Sequence, residues 1–320
     1  MAKCLFNRDN QIMSNLKWQP LSPGGKIEVI APGMPFRPEN FKKSKKLIEA
    51  WGCEVHAPKN ILGQHPVSAN STAQRRDFIK KALASESVFI WAARGGYGSL
   101  HLLETLDQLK KPKSPKLLIG FSDITTLHQF FNQKWNWPSL HAGHVDRLAF
   151  ALPERQKLLK DILFGKVKEL TFKNLKPMNG VAQKSQSISG SISGGNLTVL
   201  QSALGTRWQL QGRGKILFFE DLGERGYRID RMLTHMELLG VFKGVKALVL
   251  GPFTGGDEPD GSNKIRATLL HFAEQQKFPV FTGLKVGHIP DSYFLPLNTR
   301  ARLQVSKGRG ELHVSTGVKV

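Results

Sequence analysis

The stretch 87–98, SVFIWAARGGYG, is a short apolar run that ends directly at an arginine and a glycine-rich turn. Two similar apolar runs stand at 26–31 (KIEVIA) and 116–121 (KLLIGF), and amphipathic stretches separate the three. Short apolar runs that alternate with amphipathic segments are typical of a parallel sheet covered by helices. We therefore predict the α/β fold class, with an N-terminal, doubly wound parallel-sheet domain over 1–150.

The remainder of the chain is expected to hold a linker and a second domain. After residue 150 the sequence becomes basic and loses regular periodicity beyond one helix, which indicates an interdomain linker over 151–187. The apolar runs 215–219 and 245–250 predict strands, and the amphipathic segment between them predicts a helix. We expect a C-terminal α/β domain over 188–320.

The composition is that of a globular protein. The chain has 320 residues, of which 40% are hydrophobic and 22% charged, and its length suits two medium-sized domains. No apolar run approaches the roughly 18 residues that span a bilayer, and the N-terminus has no apolar signal-peptide core, so we expect a cytoplasmic protein without a membrane partner. Cys4 and Cys53 are too few for a disulfide framework or a closed thiolate metal site.

The charge balance is unusual. Lys and Arg number 46 against 25 Asp and Glu, a net charge of +21, and such an excess can attract a polyanion. However, the basic residues are spread along the chain, with clusters at 42–46 and 110–116, and no zinc-finger or RNP motif accompanies them. We therefore interpret them as solvated surface and expect no dedicated nucleic-acid site.

Two turns at strand ends are candidates for chemistry, because ligands of open α/β sheets bind at the carboxyl ends of strands. In the turn 94–98 (RGGYG), glycines allow the backbone to approach a ligand, so the turn could cradle a phosphate or form an oxyanion hole. It lacks the lysine and Ser/Thr of a P-loop. In the turn 122–125 (SDIT), Ser122 has the position of a nucleophile elbow, although Ser122 or Asp123 could instead only cap the next helix. Ile124 replaces the second glycine of G-x-S-x-G, which disfavours an ordinary α/β-hydrolase.

A serine nucleophile needs a base, and the base needs an orienting acid. His288 follows a short apolar strand and lies between a glycine and a proline loop. Glu220 ends the strand KILFFE, where its carboxylate could accept an imidazole N–H. His141 and His144 have a spacing that could suit a metal, but no third ligand accompanies them, so we expect structural roles and no metal.

Five segments together resemble the serine LD-carboxypeptidases, the murein tetrapeptide carboxypeptidase family that also contains microcin immunity hydrolases. The segments are 94–98 (RGGYG), 120–125 (GFSDIT), 194–206 (GGNLTVLQSALGT), 219–240 (FEDLGERGYRIDRMLTHMELLG) and 283–296 (GLKVGHIPDSYFLP). They occur in the family's order and spacing, and the resemblance covers about residues 26–305. Two positions depart from the family pattern: in the turn Ala31-Pro32-Gly33-Met34 no serine follows the proline, where family members commonly carry one, and Asn298 stands where glycine is usual.

The resemblance implies a catalytic triad of Ser122, Glu220 and His288, in a cleft between the two domains. It also implies an oxyanion hole formed by the backbone N–H groups of Gly96 and Asp123. The implied substrate is a murein tetrapeptide or muropeptide, cleaved between its third residue, diaminopimelate or lysine, and the terminal D-alanine. The implied enzyme acts in peptidoglycan recycling, needs no cofactor and forms a homodimer.

The same resemblance suggests substrate-binding residues. Arg94 is the candidate cation for the free carboxylate that an exopeptidase must recognise, with a structural pairing inside its loop as the alternative. Gly95 and Tyr97 belong to the same turn. Asn196 could place polar groups along the cleft, or it could cap the following helix.

Two other functions remain open from the sequence. A microcin-type immunity enzyme would hydrolyse the amide of peptidyl or aminoacyl nucleotides, but those relatives use aromatic stacking in an added loop, and no tryptophan lies between Phe219 and His288. A non-catalytic, cationic polyanion-binding protein would explain the charge but not the triad residues.

Overall fold

Two β-sheets and their covering helices form the computed structural model, which describes residues 17–319. The strands are β1 (Lys26–Ile30), β2 (Glu54–His56), β3 (Phe89–Ala92), β4 (Leu117–Gly120), β5 (Ser139–His141), β6 (Glu169–Pro177), β7 (Gln186–Asn196), β8 (Lys215–Leu222), β9 (Ala247–Thr254), β10 (Val280–Thr282), β11 (Leu295–Leu297), β12 (Arg300–Ser306) and β13 (Arg309–Ser315). The α-helices are α1 (Pro38–Glu49), α2 (Thr72–Ala84), α3 (Leu103–Gln108), α4 (Thr125–Lys134), α5 (Val145–Leu148), α6 (Pro153–Leu163), α7 (Gly180–Gln183), α8 (Leu197–Ser202), α9 (Gly226–Leu238) and α10 (Ile265–Gln275). Two short 3₁₀ helices, Ser99–Leu102 and Ser122–Ile124, precede α3 and α4.

The first sheet has the strand order β11-β5-β4-β3-β1-β2. Strands β1 to β5 pair in parallel, and only β11 is antiparallel to its neighbour. Along β3, Phe89 and Trp91 pack on the same face as Ile48 of α1, whereas Ile90 packs on the opposite face with Ile79 of α2. Because helices cover both faces, the prediction of a parallel, helix-covered sheet is confirmed.

The second sheet closes on itself in the order β10-β6-β13-β12-β7-β8-β9. Strands β7 to β10 run parallel to one another, whereas β6, β12 and β13 pair antiparallel. Helices α8, α9 and α10 pack Leu197, Ile229 and Phe272 into one apolar cluster with Leu217 of β8. The predicted α/β character of this part is therefore correct, but the closed, mixed sheet was not foreseen.

The predicted linker over 151–187 is wrong, because this segment contains helix α6 and strand β6. Strand β6 pairs with both β13 and β10 and so is needed to close the second sheet. Its buried residues are Leu170, Phe172 and Leu175, so the spacing changes from two residues to three at the point where the register to β13 shifts. Lysines lie on either side of these residues in the sequence. A bulge therefore hid the strand pattern from the sequence.

Strand β11 also crosses the expected domain boundary. It lies inside the segment predicted as the C-terminal domain, but Leu295 and Leu297 pair with His141 and Ser139 of β5 in the first sheet. The chain thus returns from the second sheet to the edge of the first before it forms the hairpin of β12 and β13. This return fixes both ends of the loop 283–294. No helix within residues 17–319 has the length and apolar character that a membrane crossing requires.

We expect Leu175→Ala to lower the free energy of unfolding by about 2–5 kcal/mol, because Leu175 is fully buried in the closed sheet. Urea unfolding measures this loss, and exposed Lys173→Ala on the same strand is the matched control, expected within about 0.5 kcal/mol of the parent chain. Equal, small effects of both replacements would mean that β6 is not part of the folded core.

Candidate active site

Ser122 lies in a strained turn between β4 and α4. Its φ angle is +60°, in the left-handed region that residues other than glycine rarely adopt. The 3₁₀ turn Ser122–Ile124 leads directly into α4. A serine held in left-handed geometry at a strand-to-helix turn has the backbone conformation of a nucleophile elbow, one of the two roles that the sequence left open for Ser122.

The neighbouring carboxylate of Asp123 ties this turn to the glycine-rich turn. Its Oδ2 accepts hydrogen bonds from the Ser99 backbone N–H at 3.0 Å and the Ser99 hydroxyl at 2.7 Å. Burial raises the pKa of Asp123, and the bonds from Ser99 oppose that rise. The two turns that the sequence singled out are therefore joined by one buried carboxylate.

Arg75 is a buried arginine that binds three backbone carbonyls near the candidate site, and the sequence analysis did not identify it. Its guanidinium donates to the carbonyls of Pro32 at 2.5 Å, Gly98 at 2.8 Å and Asn70 at 3.1 Å. These bonds hold the loops after β1 and β3 against α2. An arginine within an amphipathic helix normally faces solvent, so no local pattern distinguishes the buried Arg75 from its half-buried neighbour Arg76.

Gly96 gives the glycine-rich turn its shape. Its φ angle is +94°, and a Cβ at this position would lie 2.5 Å from Cγ of Met34. Met34 therefore packs directly against the turn. Within residues 17–319, the backbone N–H of Gly96 has no hydrogen-bond partner. A free N–H beside a serine turn can receive an anion or an oxyanion.

Glu220, near the end of β8, forms a hydrogen-bonded pair with half-buried His288, which lies in the loop after β10. The fully buried Glu220 accepts with Oε2 from His288 Nδ1 at 2.7 Å and from the His288 backbone N–H at 3.2 Å. Gly287 permits this approach: its φ angle is +136°, and a Cβ there would lie 2.7 Å from the same oxygen. Burial lowers the pKa of His288, but the hydrogen bond and charge of Glu220, with a contribution from Asp221, outweigh burial, so the pKa is raised overall.

The ring of Phe121 brings the two turns together. It lies 4.8 Å, centroid to centroid, from the ring of His288, and Ser122 is the next residue. Among the described residues, no hydrogen bond joins Ser122 to His288. Catalytic hydrogen bonds are often long before substrate binds. The structure thus places the predicted serine, glutamate and histidine in one neighbourhood.

Three further histidines surround Phe121 and are completely buried. His128 donates from Nε2 to the Gly120 carbonyl at 2.9 Å, and His144 donates from Nε2 to the Phe121 carbonyl at 3.0 Å. Burial lowers the pKa of His128 to about 4 and that of His144 to about 3. Burial also lowers the pKa of His141, which packs edge-on against Phe121. His128 and His144 therefore fix, as neutral donors, the two carbonyls that precede Ser122.

The other predicted site residues have mixed surroundings. Arg94 is half-buried and donates from Nη1 to the Pro35 carbonyl at 3.2 Å. Tyr97 is exposed, and its hydroxyl lies 3.3 Å from Nε2 of His101. Asn196 caps α8 through the Val199 N–H and donates to Asp221 at 2.9 Å, so the capping role that the sequence allowed is confirmed.

A cavity of about 430 Å³ adjoins His288 on the side of Phe121 and Tyr293. Ser122, Arg94 and Gly96 do not line it. In the part of the chain from 17 to 319, no three His, Cys, Asp or Glu side chains are grouped so that they could hold a metal ion.

The buried histidines predict a loss of stability in acid. Above about pH 6.5 both folded and unfolded chains hold His144 neutral; below it, the unfolded chain binds a proton that the folded chain excludes down to about pH 3. The free energy of unfolding therefore falls as the pH is lowered through this window. We expect His144→Gln to remove about 2 kcal/mol of the loss between about pH 7.5 and pH 5.

Urea unfolding at the two pH values measures this difference. Exposed His271→Gln is the control and should leave the pH dependence unchanged. An unaltered slope in His144→Gln would contradict the neutral, buried state of His144.

Comparison with known proteins identifies the family to which this chain is similar. Residues 27–142 match the model of the LD-carboxypeptidase N-terminal domain, and residues 189–303 match that of the LD-carboxypeptidase C-terminal domain. A putative carboxypeptidase of Rickettsia conorii is 38% identical over 286 residues, 88% of each chain.

This chain is also similar to solved structures of carboxypeptidases and related proteins. The muramoyltetrapeptide carboxypeptidase from Oxalobacter formigenes is 30% identical, with a TM-score of 0.78 over 90% of this chain and 99% of that one. The microcin C7 self immunity protein MccF has a TM-score of 0.79 over 94% of this chain and 98% of its own, but at 18% identity it shows the fold alone. On the two domain matches and these relatives, the chain belongs to the LD-carboxypeptidase family of peptidases.

Proposed function

We propose that this protein is a serine LD-carboxypeptidase that removes the terminal D-alanine from murein tetrapeptides during peptidoglycan recycling in the cytoplasm. The observation that carries the proposal is the hydrogen bond between His288 and the fully buried Glu220, beside the left-handed turn of Ser122. A serine, a histidine and a buried acid are the parts of a hydrolytic triad. The name of the Oxalobacter relative supports a murein peptide as substrate.

In the proposed reaction, His288 acts as base and then as acid. Glu220 accepts the Nδ1–H, so Nε2 carries the lone pair that removes the proton from Ser122 as its Oγ attacks the amide carbon. The protonated imidazole then donates this proton to the leaving nitrogen of D-alanine. Water attacks the acyl-serine in the second half, with His288 again as base, and the free tripeptide and Ser122 are restored.

The oxyanion of each tetrahedral intermediate would be held by the backbone N–H groups of Gly96 and Asp123. The Gly96 N–H is without a partner in the described chain, and Asp123 lies in the first turn of a helix, where N–H groups lack partners within the helix. Loss of one such donor typically costs about 3 to 4 kcal/mol of transition-state stabilisation. Gly95 and Tyr97 complete the turn that would face the substrate.

We propose that Arg94 binds the carboxylate of the terminal D-alanine. Its guanidinium uses Nη1 for the Pro35 carbonyl and is half-buried at the mouth of the glycine-rich turn. A guanidinium binds a carboxylate in a planar, bidentate manner. An exopeptidase needs such a cation near its nucleophile.

The functional test is the incubation of the purified protein with a defined murein tetrapeptide and detection of released D-alanine by mass spectrometry. The same peptide ending in L-alanine is the matched control and should be cleaved far more slowly. A parallel incubation with an aminoacyl sulfamoyl nucleotide tests the microcin-type alternative. Release from the nucleotide alone, or binding of nucleic acid without any hydrolysis, would reject the carboxypeptidase proposal.

We expect Ser122→Ala and His288→Ala each to lower kcat by at least about 1,000-fold while the chain remains folded, because triad members act as a unit. Glu220→Gln should retain more activity. D-alanine release measures the loss, circular dichroism checks the fold, and exposed Ser114→Ala is the control. Parental rates in folded Ser122→Ala would reject this serine as the nucleophile.

The pH profile should report His288. Only neutral His288 can act as base, so kcat/KM is expected to rise with pH, with a midpoint above the ordinary value of about 6.5 because the pKa is raised. In Glu220→Gln the charge is removed, and the midpoint should move down. Glu224→Gln is the matched control and should leave it in place; a midpoint that ignores Glu220 would mean that another group titrates.

A further inference from the structure

The cavity beside His288 contains two arginines that the proposed mechanism does not use. Its walls come from the segment 141–159, which includes α5 and the start of α6, and from the loop 287–294. Arg147 and Arg155 are the two cations of its lining, and the apolar part consists of Phe121, Leu148, Phe150, Leu159, Tyr293 and Phe294. A volume of about 430 Å³ lies within the range of small-molecule sites.

Arg155 is held in a fixed orientation. Its guanidinium lies 3.6 Å from the centroid of the Tyr293 ring, and its Nε donates to the Asp291 carbonyl at 3.1 Å. These two contacts fix the plane of the guanidinium, and its two terminal nitrogens remain available to bind other partners. Such a fixed fork suits the planar, bidentate recognition of a carboxylate.

Within residues 17–319, no carboxylate lies within ion-pair distance of either arginine of the cavity. Burial raises the pKa of the neighbouring Asp146 carboxylate, and the charge of Arg147 opposes that rise only as a longer-range attraction. Asp291, whose backbone binds Arg155, directs its own carboxylate toward Lys285 at 3.9 Å. Two unpaired guanidinium groups in a largely apolar cavity favour an anionic ligand that also has a carbon chain.

We propose that this cavity is a subsite for a carboxylate-bearing arm of the substrate, remote from the scissile bond. Arg147 and Arg155 bind the carboxylate, and the apolar walls receive the carbon chain. This assignment rests on the proposed function. A murein tetrapeptide offers two such groups besides its terminus: the side-chain carboxylate of diaminopimelate at the third residue and the α-carboxylate of D-glutamate at the second.

The test compares four tetrapeptides that differ only in these carboxylates. The third residue is diaminopimelate or lysine, and the second is D-glutamate or D-isoglutamine, whose α-carboxylate is an amide. A contact that holds the ground state and the transition state equally acts on KM and leaves kcat unchanged, and we expect this of the subsite. We expect the subsite to bind only one of the two carboxylates. Arg147→Ala and Arg155→Ala should then each raise KM at least about tenfold for the two peptides that carry that carboxylate, and should change KM little for the two peptides that lack it.

The controls separate charge, fold and function. Arg309→Ala removes an exposed arginine that does not line the cavity and should change no KM. Arg155→Lys keeps the charge without the fork and should fall between the parent and Arg155→Ala. Arg147 is exposed, so its replacement tests the subsite even where loss of the contact between Arg155 and Tyr293 disturbs the loop.

The outcomes distinguish the two proposals. A loss confined to diaminopimelate peptides, or to D-glutamate peptides, supports the subsite and identifies the carboxylate it binds. Equal losses with all four peptides, or none, overturn the subsite while D-alanine release by the parent chain still upholds the carboxypeptidase. If the parent chain releases D-alanine from no peptide, the proposed function fails and the subsite fails with it.

Discussion

The buried carboxylate of Glu220 is the constraint on which the candidate site depends. A carboxylate without solvent contact is costly unless donors bind it, and His288 supplies both its ring Nδ1–H and its backbone N–H to Oε2, whereas Oε1 has no partner within residues 17–319. The same contact requires the absence of a side chain at Gly287. Strands β8, β9 and β10 are parallel and adjacent in this order, so the end of β8 and the chain that leaves β10 lie at the same edge of the closed sheet. The fold thus supplies the pair before any substrate arrives.

The route of the chain after His288 joins the two sheets. The loop that begins after β10 in the second sheet ends at β11 on the edge of the first, where Leu295 pairs with His141. This return explains why the His288 ring lies against Phe121, although the two belong to different sheets. Arg155, on α6, holds the middle of the same loop through Asp291 and Tyr293. Helix α6 therefore contributes to the geometry around the histidine.

Local patterns predicted most of the first sheet, because buried parallel strands form continuous apolar runs and helix α1 begins at Pro38 and ends before Gly52. They also singled out Ser122, since a polar residue directly after a buried strand is conspicuous, but not its left-handed φ angle. They failed at β6, where a bulge and surrounding lysines hide the buried residues, and at β11, which has only three residues. Arg75 and the arginines of the cavity depend on long-range contacts that no local pattern records. Asn298, by contrast, has a left-handed φ of +56°, a conformation that favours glycine and that asparagine tolerates better than most other residues.

Four histidines lie around Phe121, and their different environments explain how one of them can serve as the base. His128, His141 and His144 are completely buried without a carboxylate partner, so burial lowers the pKa of each, and His128 and His144 donate to fixed carbonyls. His288 alone contacts a carboxylate, and its pKa is raised. At neutral pH the three buried histidines carry no charge, so they would not repel the imidazolium that His288 forms during catalysis. Glu220 would stabilise this imidazolium. The position of the Glu220 carboxylate near the end of β8 therefore determines which of the four histidines can act as the base.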